Sequence, residues 1–458
     1  MAPSTHNIPG PFLMGCGAGF SGDRVDAPGS VVDAIARSGH PGAIMFETLA
    51  ERTLALGHVA RRADPALGYE PLLAELVGPV LSACLSAGIP IIGNFGAANP
   101  PAAARLLHVL ATDLGLPPPS IAVVHGDDIR DGLDLAGLEV WEGDAGLVRD
   151  GAALIAANVY LGARPIADAL LAGAQIVVTG RVADPALALG PLVAHFGWAW
   201  DDWDRLAAGT LAGHLLECGS QVTGGYFADP GFKDVPRPEA IGFPIAEVSA
   251  GGAITITKAA GTGGLVSVRT VTEQVLYEMH DPAAYLTPDV TLDVTGITVR
   301  QSGPDRVVVQ GARGHPAPPS LKATMSFEGD WIGEAEISYA GPNALARARL
   351  AADVIGKRLD LRGLALRRRL DLIGAMSVFD DDSGALAGRA GDMPEVRVRL
   401  AVSGADRRPV DQAVQEVLAL LCCGPAGGGG MRSQIRNRVR TVSYLVPRNR
   451  VSPGFSFV

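Results

Sequence analysis

Short apolar runs that alternate with helical segments constrain the fold of the first half of the chain more than any other feature. The runs lie at 12–16, 42–47, 89–94, 121–125 and 174–179. Runs of this kind, with apolar residues facing both ways, are typical of parallel strands that helices cover on both sides of a sheet. The alternation predicts a doubly wound α/β domain, Rossmann-like with a mostly parallel sheet, over residues 1–240.

Polar side chains gather where these predicted strands end. In an open α/β sheet, ligands bind beside the carboxyl ends of the strands, where the loops converge. The strand-end residues are Ser21, Asp23 and Arg24, then Glu47, then Asn94 and Asn99, then Asp127 and Asp128, and finally Arg181 and Asp184. We expect at least half of these five loops to line one site.

The end of a helix predicted at 204–218 carries a second group of polar residues. Glu217, Cys218, Gln221 and Thr223 lie where the helix runs into a glycine-rich loop. A helix C-terminus carries a partial negative charge, so a glutamate is disfavoured there. Two interpretations remain open: Glu217 is functional, or it is a solvated helix end followed by a left-handed glycine cap at Gly219.

The first glycine loop matches a known fingerprint in spacing but not in context. Gly17, Gly19 and Gly22 reproduce the Gly-x-Gly-x-x-Gly spacing of dinucleotide-binding sites, and Glu47 could bind a ribose. The predicted helix does not begin on these glycines, however, which weakens NAD(P) binding. We favour a loop that brings Ser21, Asp23 and Arg24 to a small anionic substrate. A tight turn in which Asp23 and Arg24 pair structurally is the alternative.

The pattern changes after a proline-rich stretch at 235–245. Residues 253–258 and 266–272 alternate between apolar and polar, as antiparallel strands do. We therefore predict a second, α+β domain of mostly antiparallel strands over residues 241–458.

Two glycine loops belong to this predicted second domain. The loop at 261–264 follows Lys258 and contains Thr262, and the loop at 424–430 contains Gly428 and Gly429 in a run of four glycines. Such a run costs chain entropy, which suggests backbone brought close to a ligand, with N–H groups able to hold an anion. A flexible connector is the alternative.

Composition excludes several classes of protein. Of 458 residues, 48% are apolar and 19% are charged, and the net charge of −10 provides no basic surface for nucleic acid. Five cysteines without paired spacing indicate a reduced compartment. No signal peptide or spanning segment is visible, so we predict a cytoplasmic protein that does not bind membranes and that self-associates.

Acid–base catalysis is the class of chemistry that remains after other catalytic motifs are excluded. The chain lacks a serine-hydrolase elbow, a Walker A lysine and a His-Glu-x-x-His motif. The catalytic candidates are Glu217, as general acid or base, with Cys218 and Asp184. Arg24, Arg181 and Lys258 are the candidates for holding carboxylate or thioester oxygens.

Metal binding stays open in two forms. His214 and Cys218, four residues apart, could share a metal ion but lack a third ligand nearby. An oxygen-rich site for Mg²⁺ or Mn²⁺ could form from Asp127, Asp128, Asp184 and Glu217.

Six motifs together resemble the acyclic terpene utilization AtuA family. They lie at 17–24, 93–100, 179–187, 213–231, 272–282 and 424–430. Examples are Gly-Ala-Gly-Phe-Ser-Gly-Asp-Arg at 17–24 and Thr-Gly-Arg-Val-Ala-Asp-Pro at 179–185. The resemblance spans about 12–447.

This resemblance implies a role in bacterial catabolism of citronellol- and geraniol-like acids, which are degraded as CoA thioesters. Related genes also lie beside genes for carboxylate transport and CoA transfer, so terpenes need not be the substrate. The resemblance also implies a separate small AtuA-like partner with a ferredoxin fold. It carries over no catalytic roles.

We therefore expect a lyase or hydratase that acts on a small carboxylate or acyl-CoA. The expected site joins the strand-end loops to Lys258 and the two later glycine loops across the domain interface. A non-catalytic or complex-dependent subunit is the first alternative, and an NAD(P)-dependent oxidoreductase is the second.

Overall fold

The structure is a computed structural model that describes residues 10–130, 137–144, 146–149, 153–375, 377–378 and 393–458. It divides into two compact units. The first comprises 1–150, 154–326 and 441–458, and the second comprises 151–153 and 327–440. Within the described residues, no helix is both long and apolar enough to cross a membrane.

α-Helices lie between many of the strands along the chain. Those described are α1 (Ala27–Ser38), α2 (Glu51–Ala63), α3 (Leu73–Ala87), α4 (Pro100–Asp113), α5 (Gly146–Arg149), α6 (Arg164–Leu171), α7 (Ala186–Phe196), α8 (Trp203–Glu217), α9 (Val268–Leu276), α10 (Ala344–Leu361) and α11 (Arg407–Cys423).

Strands account for the short apolar runs and for the alternating segment at 253–258. Those described are β1 (Phe12–Ala18), β2 (Gly42–Phe46), β3 (Ile91–Gly93), β4 (Ile121–His125), β5 (Glu139–Glu142), β6 (Leu154–Val159), β7 (Ile176–Val178), β8 (Pro244–Val248), β9 (Ile254–Lys258), β10 (Tyr285–Leu286), β11 (Thr291–Asp293), β12 (Thr298–Gly303), β13 (Arg306–Gln310), β14 (Arg313–His315), β15 (Ser320–Ala340), β16 (Arg367–Ile373), β17 (Glu395–Gly404), β18 (Gly429–Pro447) and β19 (Gly454–Phe457). The strand predicted at 266–272 is wrong, because Ser267 caps the N-terminus of α9 there and the helix begins at Val268.

A mixed sheet forms the centre of the first unit. Its strand order is β12-β13-β9-β8-β1-β2-β3-β7-β4-β19. The five strands β1, β2, β3, β7 and β4 are parallel and almost wholly buried. Helices of the same unit pack on them, α1 against β1 and α4 against β4. The predicted α/β class is confirmed, and the parallel strands are those that the apolar runs indicated.

Antiparallel strands extend the same sheet on both sides. β8 runs antiparallel beside β1, with Phe12 opposite Val248, and β9 and β13 follow it. The boundary that we placed after residue 240 therefore falls inside the first unit. β8 and β9 begin after the proline-rich stretch, but their apolar residues are buried in the sheet that begins with β1. The proline-rich stretch lies in the connection between α8 and β8, within the first unit.

Helix α8 is buried on all sides and delivers its last residue to the functional edge of the sheet. The Asp202 side chain caps its N-terminus by accepting a hydrogen bond from the Arg205 N–H. A methyl group on Gly213 would lie 2.5 Å from the Pro185 carbonyl oxygen, so glycine is needed for the approach of the loop before α7. All residues from Leu206 to Glu217 are buried, as expected of a helix that is surrounded by protein.

The second unit is a smaller α/β sandwich. β17 pairs antiparallel with β16 on one side and with β15 on the other. Helices α10 and α11 pack on one face of these strands, and the core contains Ile337, Ile355, Val398 and Val417. The predicted second region of mostly antiparallel strands is confirmed in this unit.

Candidate functional site

A cavity of about 640 Å³ opens at the carboxyl ends of the parallel strands. Its walls include residues from the segments 19–20, 47–51, 181–185, 217–221, 277–288 and 318–322. All of these segments belong to the first unit. Three of the five predicted strand-end loops, those that follow β1, β2 and β7, contribute lining residues.

Glu217 lies in this cavity as half of a buried pair with His214. It is 7% exposed, so it is not a solvated helix end. The Oε1 atom lies 2.8 Å from Nδ1 of His214, one turn earlier on α8. The other carboxyl oxygen, Oε2, is buried and has no hydrogen-bond partner among the described residues. A buried polar atom without a hydrogen-bond partner costs folding free energy, which suggests that Oε2 gains a partner when a ligand enters the cavity.

The surroundings of His214 fix the number of protons in the pair. Its Nε2 lies 3.2 Å from the carbonyl oxygen of Val275, which can only accept a hydrogen bond, so Nε2 carries a proton. One further proton is then shared between Nδ1 and Oε1 of Glu217. Burial raises the pKa of Glu217, although the His214 charge opposes this rise. Burial lowers the pKa of His214, but the charge and hydrogen bond of Glu217, together with backbone hydrogen bonds at Val275 and Gln274, raise this pKa overall.

Glu47 is a second carboxyl group with an altered affinity for protons. It follows β2 directly, and its Oε1 accepts hydrogen bonds from Nδ2 of Asn94 at 2.9 Å and from the Leu49 N–H at 2.8 Å. Burial raises its pKa to about 7, against the hydrogen bonds from Asn94 and Leu49 and the charge of Arg181. Glu47 can therefore take up and release a proton near neutral pH.

Arg181 is the buried cation of the cavity. It is 2% exposed, and its Nη2 lies 2.5 Å from Oδ1 of Asp184. Its Nη1 donates to the Leu49 carbonyl, and its guanidinium stacks 4.1 Å from the centre of the Tyr160 ring. Its Nε is buried, with no partner in the part of the chain that the structure describes. Burial and the nearby charges of Glu47 and Glu217 raise the pKa of Asp184 despite its ion pair with Arg181.

A second ion pair lies beside the first. Glu51, at the start of α2, accepts a hydrogen bond from the Tyr160 hydroxyl and lies 3.4 Å from Nζ of Lys322. Burial opposes ionisation of Glu51, but Arg181, the Tyr160 hydrogen bond and Lys322 bring its pKa down to about 2. Glu51 is therefore a fixed negative charge, unlike Glu47.

Cys218 and Gln221 complete the wall after α8. Burial, with Glu217 and Glu278 nearby, raises the pKa of the Cys218 thiol. Nucleophilic cysteines need positive surroundings that stabilise the thiolate, so this environment favours a thiol that keeps its proton. Burial raises the pKa of Tyr277, and the nearby Gln221 side chain opposes this rise. The next residue, Glu278, has φ +56, a strained conformation of the kind that clusters at functional sites.

Comparison with known proteins identifies the family. The profile described as acyclic terpene utilisation family protein AtuA matches residues 12–457. The chain belongs to the AtuA family. No curated protein matches it significantly. Among solved structures, the de novo designed protein Foldit4 aligns with 10% identity, a TM-score of 0.17, and coverage of 24% of this chain and 97% of its own, which carries no structural argument.

The glycine loop after β1 uses its glycines for contacts within the protein. A methyl group on Gly19 would lie 2.3 Å from the backbone nitrogen of Gly219, so the two loops touch backbone to backbone. A methyl group on Gly17 would meet the Phe46 ring at 2.6 Å. The spacing that matched a dinucleotide fingerprint is therefore explained by the packing of this AtuA-family chain against the end of α8.

Asp23 and Arg24 stabilise that loop and do not line the cavity. The two Asp23 oxygens accept from the N–H groups of Gly19 and Arg24, both at 2.8 Å. Arg24 pairs with Asp26 at 2.7 Å and donates to the Ile241 carbonyl. Ser21 is half-buried in the same loop and is not among the lining residues.

Asn94 and Asp127 act one layer behind the cavity. Asn94 holds Glu47, and its Oδ1 accepts from the Thr48 N–H at 2.7 Å. Asp127 Oδ2 accepts from Asn158 and from the Arg181 N–H, at 2.9 and 2.8 Å. These residues position the groups that line the cavity. Asp128 instead lies near Arg130, with 37% of its side chain exposed.

The remaining predicted binding residues have local structural partners. Thr223 donates to the Gly242 carbonyl at 2.6 Å, and Lys258 pairs with Asp305 at 3.1 Å. Thr262 donates to the Ala259 carbonyl at 2.6 Å. Gly428 and Gly429 belong to the second unit, where a methyl group on Gly428 would crowd Ile337 and Tyr339 and where Gly429 begins β18.

The residues proposed for Mg²⁺ or Mn²⁺ do not converge. Asp184 and Glu217 share the cavity, but Asp127 is committed to Asn158 and Arg181, and Asp128 lies elsewhere. Across the described ranges, no three His, Cys, Asp or Glu side chains are arranged to hold a metal ion. Among the same residues, His214 and Cys218 also have no third metal ligand near them. In addition, both ring nitrogens of His214 are already hydrogen-bonded, one to Glu217 and one to the Val275 carbonyl.

Several lining residues were not predicted from the sequence. They are Phe20, Glu51, Trp141, Glu142, Tyr160, Tyr277, Glu278, His280, Tyr285 and Lys322. The motif at 272–282 was noticed for its resemblance only, although its sequence Tyr277-Glu-Met-His280 is polar and aromatic enough to suggest a site. Tyr160 and Lys322 carried no such signal, because each is a single polar residue near a strand.

Proposed function

We propose that the chain is an enzyme of acyl catabolism that moves a proton to or from its substrate through Glu217, in the manner of a lyase or hydratase. The observation that carries the proposal is that Oε2 of Glu217, a residue that lines the cavity, is buried and has no hydrogen-bond partner within the described structure. Its other oxygen shares a proton with His214.

Two carboxyl groups give the reaction its two proton transfers. As a base, Glu217 Oε2 removes a proton from the carbon next to the acyl carbonyl. Glu47, with a pKa of about 7, donates a proton to the departing hydroxyl of a 3-hydroxyacyl compound. The products are an unsaturated acyl compound and water, and hydration follows the same path in reverse.

Arg181 and Asp184 support this chemistry by position and charge. The guanidinium stabilises negative charge that develops on the acyl oxygen, because its unpartnered Nε–H is a buried donor. Asp184 and Tyr160 hold the guanidinium in place. Cys218 retains its proton and acts as a neighbouring polar group.

Family membership supports a role related to acyclic terpene utilization. The apolar part of the cavity, with Phe20, Leu286, Pro318 and Leu321, is suited to a branched hydrocarbon chain. We propose an acyl-CoA or carboxylate of this type as substrate, and a small ferredoxin-fold protein as a partner that completes the activity.

Deuterium exchange tests the proposal. The purified chain, alone and with the small partner, is incubated in D₂O with a panel of acyl-CoA thioesters and short hydroxy acids, and incorporated mass is measured. We expect deuterium next to the carbonyl with the wild type and a loss of about 10²–10⁴-fold in rate for Glu217→Gln.

Asp33→Asn is the matched control, since Asp33 is an exposed carboxylate of α1 that pairs only with Arg37 among the contacts seen. Exchange that survives in Glu217→Gln at the wild-type rate would contradict the proposed role. Exchange that appears only with the partner present would assign the activity to the complex.

A further inference from the structure

The positive charges of the cavity are already balanced by carboxylates. Arg181 pairs with Asp184 at 2.5 Å, and Lys322 lies 3.4 Å from Glu51. The charge that His214 carries when both nitrogens hold protons is balanced by Glu217. Arg181 and Lys322 line the cavity, His214 lies behind Glu217, and among the described residues each of the three has its own acidic partner.

Carboxyl groups outnumber these cations. Six acidic residues line the cavity: Glu47, Glu51, Glu142, Asp184, Glu217 and Glu278. A carboxylate that entered beside Glu217 would meet further negative charge in surroundings that screen it poorly. A free acid would therefore have to bind without an available counter-charge, or take up a proton first.

Two buried atoms have no hydrogen-bond partner among the described residues and could bind a polar ligand. Arg181 Nε–H can only donate a hydrogen bond, and Glu217 Oε2 accepts one when it is ionised. An uncharged carbonyl satisfies the donor, and a hydroxyl or a polarised C–H faces the acceptor. An uncharged acyl group provides both without adding charge.

We propose that the acyl group which binds beside Glu217 is uncharged, a carbonyl derivative and not a free carboxylate. The inference rests on the proposed function, because it identifies the reacting end of the substrate with the group next to Glu217. It narrows the two substrate classes, carboxylate and activated acyl compound, to the second.

A matched pair of probes tests the charge alone. Citronellic acid and citronellamide differ in the charge of the acyl end and share the branched chain. Their binding to the full chain is measured by titration calorimetry from pH 6 to pH 8. We expect the amide to bind at least about tenfold more tightly at pH 8, as one uncompensated charge interaction costs at least that factor.

Charge-neutralising variants locate the effect. Glu47→Gln should narrow the preference for the amide by about tenfold, because the Arg181 charge then has one fewer carboxylate beside it. Asp33→Asn, which removes an exposed carboxylate on α1, should leave the preference unchanged.

Equal or tighter binding of the acid at pH 8 overturns the inference. So does a preference that Glu47→Gln leaves unchanged, or failure of the amide to bind up to its solubility limit. The outcome is separate from that of deuterium exchange. Loss of the proposed proton transfer with a retained amide preference refutes the function alone, and retained exchange with acid preference refutes this inference alone.

Discussion

The carboxylates of the cavity and those of the second unit lie in opposite electrostatic situations. In the second unit, Glu416 lies 2.9 Å from Arg358 and 2.7 Å from Arg362, and these hydrogen bonds lower its pKa. Asp371 likewise has two arginine partners, Arg369 and Arg399. In the cavity of the first unit, carboxyl groups are in excess.

This difference separates carboxylates that stabilise a fold from those that are available for chemistry. Where arginines outnumber acids, each acid stays ionised and its lone pairs are satisfied. Where acids outnumber cations, burial and mutual repulsion raise the pKa of Glu47, Asp184 and Glu217. Raised pKa values together with unpartnered buried atoms are more typical of active sites than of structural ion pairs.

The largest test of this comparison removes the central cation of the cavity. Arg181→Gln should lower the free energy of unfolding at pH 8 by about 3–5 kcal/mol, because it leaves the buried Glu47 and the partly buried Asp184 without their counter-charge. The loss should shrink at pH 5, where the carboxyl groups take up protons. Urea denaturation at the two pH values measures both.

Arg358→Gln is the matched change in the second unit, where the guanidinium lies at the surface and Glu416 keeps Arg362. It should cost less than Arg181→Gln. An equal cost for the two variants would show that the cavity cluster is no more strained than a surface pair.

A second test uses the pH dependence that Glu47 gives to the free energy of unfolding. Its folded-state pKa of about 7 lies above the ordinary value of 4.5, so the folded chain binds this proton more tightly than the unfolded chain does. Its stabilising contribution is complete below pH 4.5 and is lost as the pH rises through 7. The linkage amounts to about 3 kcal/mol, and Glu47→Gln should remove that part of the slope between pH 5 and 8.

Glu51 does not contribute to the slope of the unfolding free energy between pH 5 and 8. Its pKa of about 2 lies below the ordinary value, so its contribution is present above pH 4.5 and is lost only as the pH falls toward 2. A slope between pH 5 and 8 that is the same in Glu47→Gln and in the wild type would contradict the position of Glu47 in the cluster.

The smallest effect on the free energy of unfolding is expected for Glu416 in the second unit, and its pH dependence should have the opposite sign to that of Glu47. The lowered pKa of Glu416 means that its contribution is present above the ordinary pKa of 4.5 and is lost as the pH falls. Glu416→Gln should cost up to about 1 kcal/mol at pH 7, and this cost should shrink as the pH falls below 4.5, measured by the same denaturation curves. A cost that grows toward acid pH would break the comparison.

The sequence made the parallel sheet predictable because strands that are buried on both faces must be apolar throughout. The same pattern indicated the edge where the loops meet, and Glu47, Arg181 and Asp184 indeed line a cavity there. The helix that ends at Glu217 was visible because a glutamate at a helix C-terminus violates a local preference. His214 is one turn away in sequence, but the carbonyl of Val275 that fixes its proton is brought near only by folding.

The sequence did not predict which charged side chains already form ion pairs, either with a residue nearby in the chain or with one that is distant in sequence. Arg24 and Lys258 looked available, but Asp26 lies two residues from the first and Asp305 lies opposite the second. Gly19 belongs to a spacing that is typical of dinucleotide-binding sites, but it packs against Gly219, which lies 200 residues away along the chain. The apolar residues of β8 and β9 do not reveal that they extend the first sheet, because alternation indicates a strand but not its neighbour.

The titration of Glu217 tests the account most directly. Uniform ¹³C labelling of glutamate, with Glu217→Gln to assign the signal, allows the carboxyl shift to be followed from pH 3 to pH 9 beside the ¹⁵N shifts of His214. We predict a midpoint above the ordinary value of 4.5 and a simultaneous change at Nδ1 of His214, as expected for one shared proton. A midpoint at or below 4.5, with His214 unaffected, would contradict the account.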